Sequence, residues 1–436
     1  MSVLDRPTRT PPPGPRLPYP LQTYLFAKHG ARWLPALRRR HGEVFMIRIA
    51  PRGRRIVLIG RPDLIKQIFS GSPSVFHAGK GNEILRPIMG DHSVLLLDEG
   101  EHQRVRQLLM PAFHGAPLRG YQELITRLTV AEVETWPVGV AFRTHDRTTK
   151  LTLEIILQVV FGVTDEGRLA ELRPVVGRIV DVDTVIMLGT LFPRLQKIPP
   201  WSRFLTVQRD LDRLLYAEIA DRRRQSDLDS RDDVLSRLLC VDAEQALTDA
   251  ELRDNLVTLL LAGHETTATA LAWAFHELGR DAEQLAAAQR AADADDQDYL
   301  EAVTKETLRR RPVIAAVARQ VQEDIELGGY TIPAGTNVNP AIAMVQSDAN
   351  LYDDPERFDA SRFIGSQPAP NTWIPFGGGV RRCLGASFSL LEAGVILRET
   401  LRRFDIVADQ PEPEPAARRN ITLTPGRGGT VVLTRR

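Results

Sequence analysis

The chain has 436 residues, of which 43% are hydrophobic and 25% are charged, as is typical of a globular protein. A formal net charge of +1 gives no indication of a nucleic-acid partner. Two cysteines, Cys240 and Cys383, are too few for a disulfide framework and favour a reducing compartment. The sequence has no secretory signal and no apolar run near the ~18 residues of a membrane span, so we expect a cytoplasmic protein.

The positive charge is concentrated at the start of the chain. Residues 1–60 contain twelve Lys or Arg against two Asp or Glu, so the remainder is acidic. A solvated basic face is the ordinary reading of such a run. The alternative is contact with an anionic membrane surface. We therefore expect peripheral membrane contact at most.

The first elements in chain order are a leader and two strands. Residues 1–20 form a proline-rich leader, extended over PPPGPRLPYP, and residues 21–436 are expected to form a single catalytic domain. Strands are predicted at Val44–Ile49 and at residues 55–59, separated by a turn at residues 51–53.

From residue 61 to about 319 the apolar periodicity is helical, and after that it favours strands and turns. The clearest predicted helices span residues 101–110, 121–136, 151–161, 207–226 and 248–279. Strands are predicted at residues 325–331 and 336–339, followed by a helix at 386–403 and a hairpin-like ending at 422–434. The pattern predicts a mainly α fold with a minor β portion.

Residues 182–204 form an apolar segment broken by prolines. A helix–loop–helix over the core is the simplest interpretation of this segment. A substrate-access lid and a patch leaning on a membrane are the alternatives.

The strongest chemical signal is the segment FGGGVRRCLG, residues 376–385. Cys240 lies in an apolar helical run and is expected to be a small buried hydrophobe. Glycines around Cys383 instead let the backbone approach something large and flat. Two preceding arginines and a helix starting just after the sulfur favour a thiolate, which suits a redox nucleophile or a metal ligand. Without a second cysteine or a histidine nearby, zinc is excluded, whereas a single protein ligand suits haem.

The second signal is the helix predicted from residue 248 onward. Thr248 and Glu251 form a capping box, and the helix is apolar nearly all round, so it should cross the core. Its midpoint carries Ala262, Gly263, His264, Glu265, Thr266 and Thr267, which are mostly poor helix formers. Thr266 can bond back to the Ala262 carbonyl. These residues are interpreted as functional, the alternative being a few satisfied polar groups in a large core.

Three further patterns are weak by themselves. His264 and Glu265 would suit a zinc protease only with a second histidine four residues after the first, and Ala268 stands there. Glu306 and Arg309 share a helix face, which by itself indicates an exposed ion pair of little energetic value. His102 and Arg106 are also helix neighbours and could bind an anion together, or simply face solvent.

In this order, these elements resemble the cytochrome P450 family of haem-thiolate monooxygenases over essentially the whole chain. The cysteine segment matches the family pattern F-x-x-G-x-R-x-C-x-G at every defined position. The resemblance implies the family's fold, with the long central helix lying over haem b, and the soluble type found in actinobacteria.

The resemblance also implies a role for each matching residue. Cys383 is expected to be the axial thiolate and metal ligand. Further cofactor-binding residues are expected to be His102, Arg106, Arg319 and Arg381, which neutralise the propionates, together with Phe376, Gly379, Gly385, Ala262 and Gly263. Glu265 and Thr266 are the expected catalytic pair. The structural triad is expected to be Glu306, Arg309 and Arg362, where Ala360 and Ser361 depart from the usual Pro and Glu before the last arginine.

The implied partners are dioxygen, an apolar small molecule, and a ferredoxin with its ferredoxin reductase. The pocket should draw on residues 81–94, 313–317 and 423–425 and on Leu259, Ala262 and Thr266, which are mainly aliphatic or small. Arg86 is the one charge there that could meet a carboxylate. Arg104, Arg381 and Arg382 would suit an acidic ferredoxin. The alternatives are a peroxide-using haem-thiolate enzyme and a non-catalytic haem sensor, and the intact Glu265–Thr266 pair argues against the former.

Overall fold

A computed structural model describes residues 10–162, 166–180, 194, 197–365 and 367–436. Most of the apolar segment 182–204 lies outside the described residues, so neither its predicted helix–loop–helix nor the alternative lid can be compared with the structure. None of the helices in the described ranges is long and apolar enough to cross a membrane.

Helices make up most of the structure and short strands the rest. The α-helices are Tyr19–His41, Pro62–Ser70, Ala78–Gly81, Arg86–Met89, Glu99–Leu109, Ala116–Val133, Thr144–Phe161, Glu166–Val180, Trp201–Arg223, Val234–Leu239, Asp249–Leu278, Ala282–Asp293, Gln297–Arg310, Ile342–Gln346 and Ala386–Leu401. The strands are β1 Val44–Ile49, β2 Arg54–Ile59, β3 Phe76–His77, β4 Ala141–Arg143, β5 Arg319–Val321, β6 Ile325–Leu327, β7 Tyr330–Ile332, β8 Asn337–Pro340, β9 Phe404–Ala408, β10 Ala416–Arg419, β11 Thr422–Pro425 and β12 Thr430–Arg435.

The strands are grouped into small sheets at the margin of the helical core. One sheet has the order β1-β2-β8-β5-β3, another β4-β12-β9, and β6-β7 and β10-β11 are separate pairs. The mainly α fold with a minor β portion is confirmed. The proline-rich leader runs along β1, where the Pro13 carbonyl accepts a hydrogen bond from the Met46 amide at 2.8 Å. The first helix begins inside the predicted leader, at Tyr19.

The helix Asp249–Leu278, called the central helix below, crosses the core for thirty residues. The predicted capping box is present, with Thr248 bonded to the Glu251 amide and Glu251 bonded back to the Thr248 amide. Hydrogen bonding is helical from end to end, so the weak helix formers at its midpoint do not interrupt it. Its main neighbour is the helix Thr144–Phe161, called the flanking helix below.

The predicted hairpin-like ending is wrong. Strand β11 pairs with β10, whereas β12 pairs with β4 and β9 in a different sheet. The connecting turn is bound instead by the buried Glu414 carboxylate, which accepts hydrogen bonds from the amides of Arg427, Gly429 and Thr430.

The prediction for Cys240 is also wrong. The residue follows the short helix Val234–Leu239 as its C-cap, and its side chain is exposed. The apolar run ends one residue before it, so the helix buries Leu238 and leaves Cys240 at the surface.

Candidate functional site

A tight glycine loop presents Cys383. Gly377 and Gly379 both adopt left-handed backbone angles, with φ of 65°, which other residues rarely adopt. A side chain at Gly379 would lie 2.0 Å from the Phe69 carbonyl oxygen. The Phe376 carbonyl accepts a hydrogen bond from the Cys383 amide at 2.9 Å and closes the loop. The glycines therefore give the loop its shape and allow it to lie against Phe69.

The loop that carries Cys383 contributes Gly378, Val380 and Arg381 to the lining of a cavity. The Cys383 side chain is accessible, although protein surrounds it on all sides. Burial raises the pKa of the thiol, while a hydrogen bond from the Gly385 amide and the charges of Arg106 and Arg382 lower it. The charge of Arg382 and the amide at the helix start thus favour the thiolate, as expected from the sequence, but burial is the larger effect. A bound cation at the sulfur would reverse that balance and remove the proton.

Four predicted cationic residues lie around one cavity of about 450 Å³: His102, Arg106, Arg319 and Arg381. Burial and the charges of the three arginines lower the pKa of His102 to about 3. Burial also lowers the pKa of Arg319 and of Arg381 to about 10 in each case, and Arg381 adds to the effect on Arg319. Like charges gathered at low solvent exposure favour an anionic ligand between them.

Arg381 is already engaged on one side. It donates a hydrogen bond of 2.6 Å to Asp98 and others to the carbonyls of Val94 and Leu97. Asp98 also accepts from the amides of Gly79 and Lys80. Arg381 thus fastens the segment before the helix Glu99–Leu109 to the cysteine loop, in addition to lining the cavity.

The open face of the central helix lies at its midpoint. Ala262 is exposed and Thr266 is half-buried, whereas Glu265 and Thr267, on either side of Thr266, are buried. Thr266 donates its hydroxyl to the Ala262 carbonyl at 2.8 Å, the expected back-bond. The neighbouring Thr267 lies 3.2 Å from Ser389 of the helix that follows Cys383, which ties the two helices together.

Gly263 serves packing. A methyl group there would lie 2.8 Å from Cδ1 of Ile156 on the flanking helix. The glycine therefore lets the two helices approach closely, and the open face is left to Ala262 and Thr266.

Glu265 is directed away from that open face. Its carboxylate is buried, with Oε1 3.4 Å from Arg419 Nη1 on β10 and 3.8 Å from His145 Nε2 on the flanking helix. One residue of helical rotation, about 100°, separates it from Thr266. The two members of the expected catalytic pair thus face different surroundings.

Glu306, Arg309 and Arg362 are brought together. Arg309 binds Glu306 through two hydrogen bonds of 2.6 and 2.7 Å, and Arg362 Nε lies 3.5 Å from Glu306 Oε1. Both partners of the first pair are completely buried, so the interpretation as an exposed ion pair is wrong. Arg309 also donates to the carbonyls of Gln346, Pro355 and Arg357, which anchors the chain that leads to the cysteine loop.

The segments expected to line the pocket are held near the central helix. Asp254 and Asn255 accept hydrogen bonds from the amides of His92 and Val94, which fixes the end of segment 81–94. The Leu423 amide donates to the Val313 carbonyl at 2.8 Å, so segments 313–317 and 423–425 are adjacent. Arg86 is paired with Asp91 at the surface.

Of the arginines predicted for a ferredoxin surface, two are engaged within the protein. Arg104 pairs with Glu251 of the capping box, and Arg381 pairs with Asp98. Arg382 is exposed. A basic docking surface would therefore depend mainly on Arg382.

Three residues near the central helix were missed by sequence reasoning: His145, Arg419 and Glu392. The buried Glu392 lies against Thr267, and burial raises its pKa to about 8. A charged residue in the apolar stretch after Cys383 was a usable signal for Glu392. His145 and Arg419 are far from Glu265 in sequence, and no local pattern marks them.

The residues present fit haem. A planar apolar group with two carboxylates requires an anchoring ligand, a small-residue face and cations for the carboxylates. The thiol of Cys383, the face at Ala262 and Thr266, and the cluster of His102 with the arginines provide these features.

Comparisons with known proteins show the family to which the chain belongs. The family model for cytochrome P450 matches residues 11–431. A putative cytochrome P450 135A1 of Mycobacterium tuberculosis is 47% identical over 425 residues, covering 97% of this chain and 95% of the relative. A putative cytochrome P450 135B1 of Mycobacterium bovis is 43% identical, covering 96% and 90%. The solved structure of retinoic acid-bound cyanobacterial CYP120A1 superimposes with a TM-score of 0.84 at 22% identity, covering 98% of this chain and 99% of that one.

Proposed function

This chain belongs to the cytochrome P450 family of haem-thiolate monooxygenases, of the actinobacterial type, and from that premise we propose that it inserts one oxygen atom of dioxygen into an apolar small molecule, with Cys383 as the iron ligand. The observation that carries the proposal is the accessible Cys383 thiol, enclosed by protein and held by a glycine loop beside a cluster of buried cations.

Haem b would be held by residues from three parts of the chain. Cys383 would supply the axial thiolate, and His102, Arg106, Arg319 and Arg381 would face the propionates. Phe376, Gly379 and Gly385 shape the loop around the sulfur, and Ala262 would leave room on the opposite side. When bound, the group supplies dioxygen activation, which thiolate donation assists by favouring O–O cleavage.

Thr266 and Glu265 would manage protons for this reaction. The Thr266 hydroxyl lies on the open face, where it can hold a hydrogen-bonded partner close to the reacting oxygen. Glu265 is buried one residue away and can supply the protons that Thr266 hands on. Burial of Glu265 limits the water that reaches its carboxylate.

The substrate is proposed to be apolar. Leu259, Ala262, Val313 and Leu423 supply aliphatic or small side chains near the open face, and Arg86 is occupied by Asp91. Pockets of this composition select for lipid-like, terpenoid, steroid or polyketide molecules over charged ones.

Electrons are proposed to come from a ferredoxin and its reductase, with the exposed Arg382 near the thiolate as the contact for an acidic partner. The cytoplasm is the proposed location, because both cysteines are free thiols.

Carbon monoxide binding to the reduced, haem-loaded protein tests the ligand assignment. Thiolate ligation gives a red-shifted Soret band, and we expect that band in the wild-type protein. Cys383→Ser should abolish it, because a serine hydroxyl does not replace the thiolate. Cys240→Ser is the matched control and should keep the band, because Cys240 is a surface C-cap. A red-shifted band that survives Cys383→Ser would overturn the proposal.

A further inference from the structure

Glu265 is buried, so each proton that it delivers must be replaced from outside through a neighbouring group. This requirement rests on the proposed function, in which Glu265 supplies protons to Thr266. Among the residues that the structure describes, Arg419 and His145 lie within 4 Å of the Glu265 carboxylate, and the two side chains are chemically different.

Arg419 can hold the carboxylate but cannot exchange a proton with it. A guanidinium keeps its protons at every accessible pH, so the 3.4 Å contact between Arg419 Nη1 and Glu265 Oε1 is electrostatic support. An imidazole gains and loses protons readily and has two nitrogens that can act in turn. Arg419 can therefore stabilise the charge of the Glu265 carboxylate, whereas His145 can exchange a proton with it.

His145 occupies a fixed position in the first turn of the flanking helix. Its amide donates to the Gly428 carbonyl at 3.0 Å, and its Nε2 lies 3.2 Å from the Thr269 hydroxyl and 3.8 Å from Glu265 Oε1. Thr269 is one helical turn beyond Glu265 on the same face of the central helix, so the imidazole lies beside two successive turns of that helix. A small rotation of either side chain would bring Nε2 and Oε1 into hydrogen-bond distance.

The surroundings of His145 keep it neutral. Burial is the main cause and Arg419 the next, and with Arg143 and His264 they lower the pKa of His145 to about 4, which Asp146 opposes. The positive end of its own helix acts in the same direction. The charged groups that face it are thus Arg419 from β10, Glu265 and His264 from the central helix, and Arg143 and Asp146 from its own turn. A neutral imidazole retains one N–H to give and one nitrogen to accept.

We propose that His145 is the residue that returns protons to Glu265. The N–H bond at His145 Nε2 breaks and an O–H bond forms at Glu265 Oε1, while a new N–H bond forms at Nδ1 with a proton from a hydronium ion of the solvent, which leaves as water. One proton enters and one is passed on, with no change in oxidation state. Exchange with water between turnovers restores the first tautomer.

The first test measures dioxygen uptake by the haem-loaded protein. The assay contains NADPH, a plant-type ferredoxin and its reductase, in H₂O and in D₂O, with no organic substrate added. His145→Leu and His145→Asn should each lower the rate at least about tenfold and enlarge the solvent isotope effect, because proton supply becomes limiting. Asparagine retains hydrogen bonds but cannot exchange protons, so it separates exchange from positioning.

Thr149→Val is the matched control. Thr149 lies one turn beyond His145 in the flanking helix, and its buried hydroxyl makes no hydrogen bond to the described residues. The control should retain the wild-type rate and isotope effect. A wild-type rate in His145→Asn would overturn the proposal and leave His145 with a positioning role alone.

A second readout is independent of turnover. In protein labelled with ¹⁵N-histidine, the NMR chemical shifts of the His145 ring nitrogens should be those of a neutral imidazole down to about pH 5. Glu265→Gln should change these chemical shifts. If these chemical shifts are the same in Glu265→Gln as in the wild type, the interaction between His145 and Glu265 is refuted. Normal wild-type turnover would then leave the proposed function intact. Conversely, a shift without any dioxygen uptake by the wild-type protein would reject the proposed function and, with it, the role of His145 in proton return.

Discussion

Thr266 and Glu265 are adjacent in sequence and differ in what they face. Thr266 lies on the open face and bonds to the Ala262 carbonyl, whereas Glu265 lies in the polar cluster with Arg419 and His145. A hydroxyl beside the reacting oxygen and a carboxyl connected to distant donors are complementary parts of a proton path. The division of roles follows from one residue of helical rotation.

Replacement of Thr266 by alanine tests this division. Thr266→Ala should lower product formed per NADPH by about tenfold or more, with the lost electrons recovered as hydrogen peroxide. Dioxygen uptake and peroxide release are measured together. Thr267→Ala, which removes a hydroxyl from the adjacent buried position, should leave the peroxide fraction unchanged. A non-catalytic haem sensor would be indifferent to Thr266→Ala, and unaffected coupling would reject the assigned role.

At the scale of elements, the central and flanking helices form the frame of the site. Gly263 allows their close approach, and the hydroxyls of Thr148 and Thr152 lie within hydrogen-bond distance of the Ala268 and His264 carbonyls. These hydroxyls give the His264 and Ala268 carbonyls, which lie in and just after the stretch of poor helix formers, a second hydrogen-bond partner. The helix is therefore continuous because its neighbour stabilises it.

Gly263→Ala should reveal this dependence. The added methyl group would lie 2.8 Å from Ile156 Cδ1, so either the helices separate or Ile156 changes rotamer. We expect a loss of about 1–3 kcal/mol in the free energy of unfolding, measured by denaturant titration. Ile156→Val should recover part of this loss in the double variant.

Gly177→Ala is the control for the effect of helix propensity. Gly177 lies in the helix Glu166–Val180, and a methyl group there would meet nothing within 4 Å. Its replacement should stabilise the protein by about 0.5–1 kcal/mol. Stabilisation of the protein by Gly263→Ala as well would contradict the packing argument.

For the whole molecule, buried ionisable groups determine how stability responds to acid. The pKa of His145 is about 4 in the folded protein and near its ordinary 6.5 when unfolded, so the folded state binds fewer protons between these values. Burial alone would raise the pKa of Glu277, but His276 and Arg311 lower it to about 2, which has the same consequence between pH 4.5 and 2. Both groups therefore make the fold less stable as the pH falls.

The free energy of unfolding should decline below pH 6.5, with each group contributing at most about 1.4 kcal/mol per pH unit. Denaturant titrations from pH 7 to pH 3 measure it. His145→Asn should remove the share of His145 in the decline between pH 6.5 and 4, a window in which His102 adds to the decline and Glu392 opposes it. Glu277→Gln should lessen the decline only below pH 4.5. An identical pH dependence in wild type and His145→Asn would show that His145 is protonated normally in the folded state.

Local features of the site were predictable because short-range physics determines them. The Thr248–Glu251 capping box needs only four residues, and β1 follows from the β-branched and aromatic residues of Val44–Ile49. The loop that carries Cys383 follows from its glycines, since backbone conformation depends on the residue itself. The sequence by itself therefore determined the central helix, the cysteine loop and the mainly α class.

Burial and direction were decided by the tertiary structure alone. Glu306 and Arg309 are completely buried because the chain around Pro355 and Arg357 folds over them, and Cys240 is exposed because its helix ends one residue earlier. Glu265 meets Arg419 and His145 across more than a hundred residues in each direction. Local periodicity carries no information about partners that are distant in sequence. The free energy of burying a charged side chain depends chiefly on those partners.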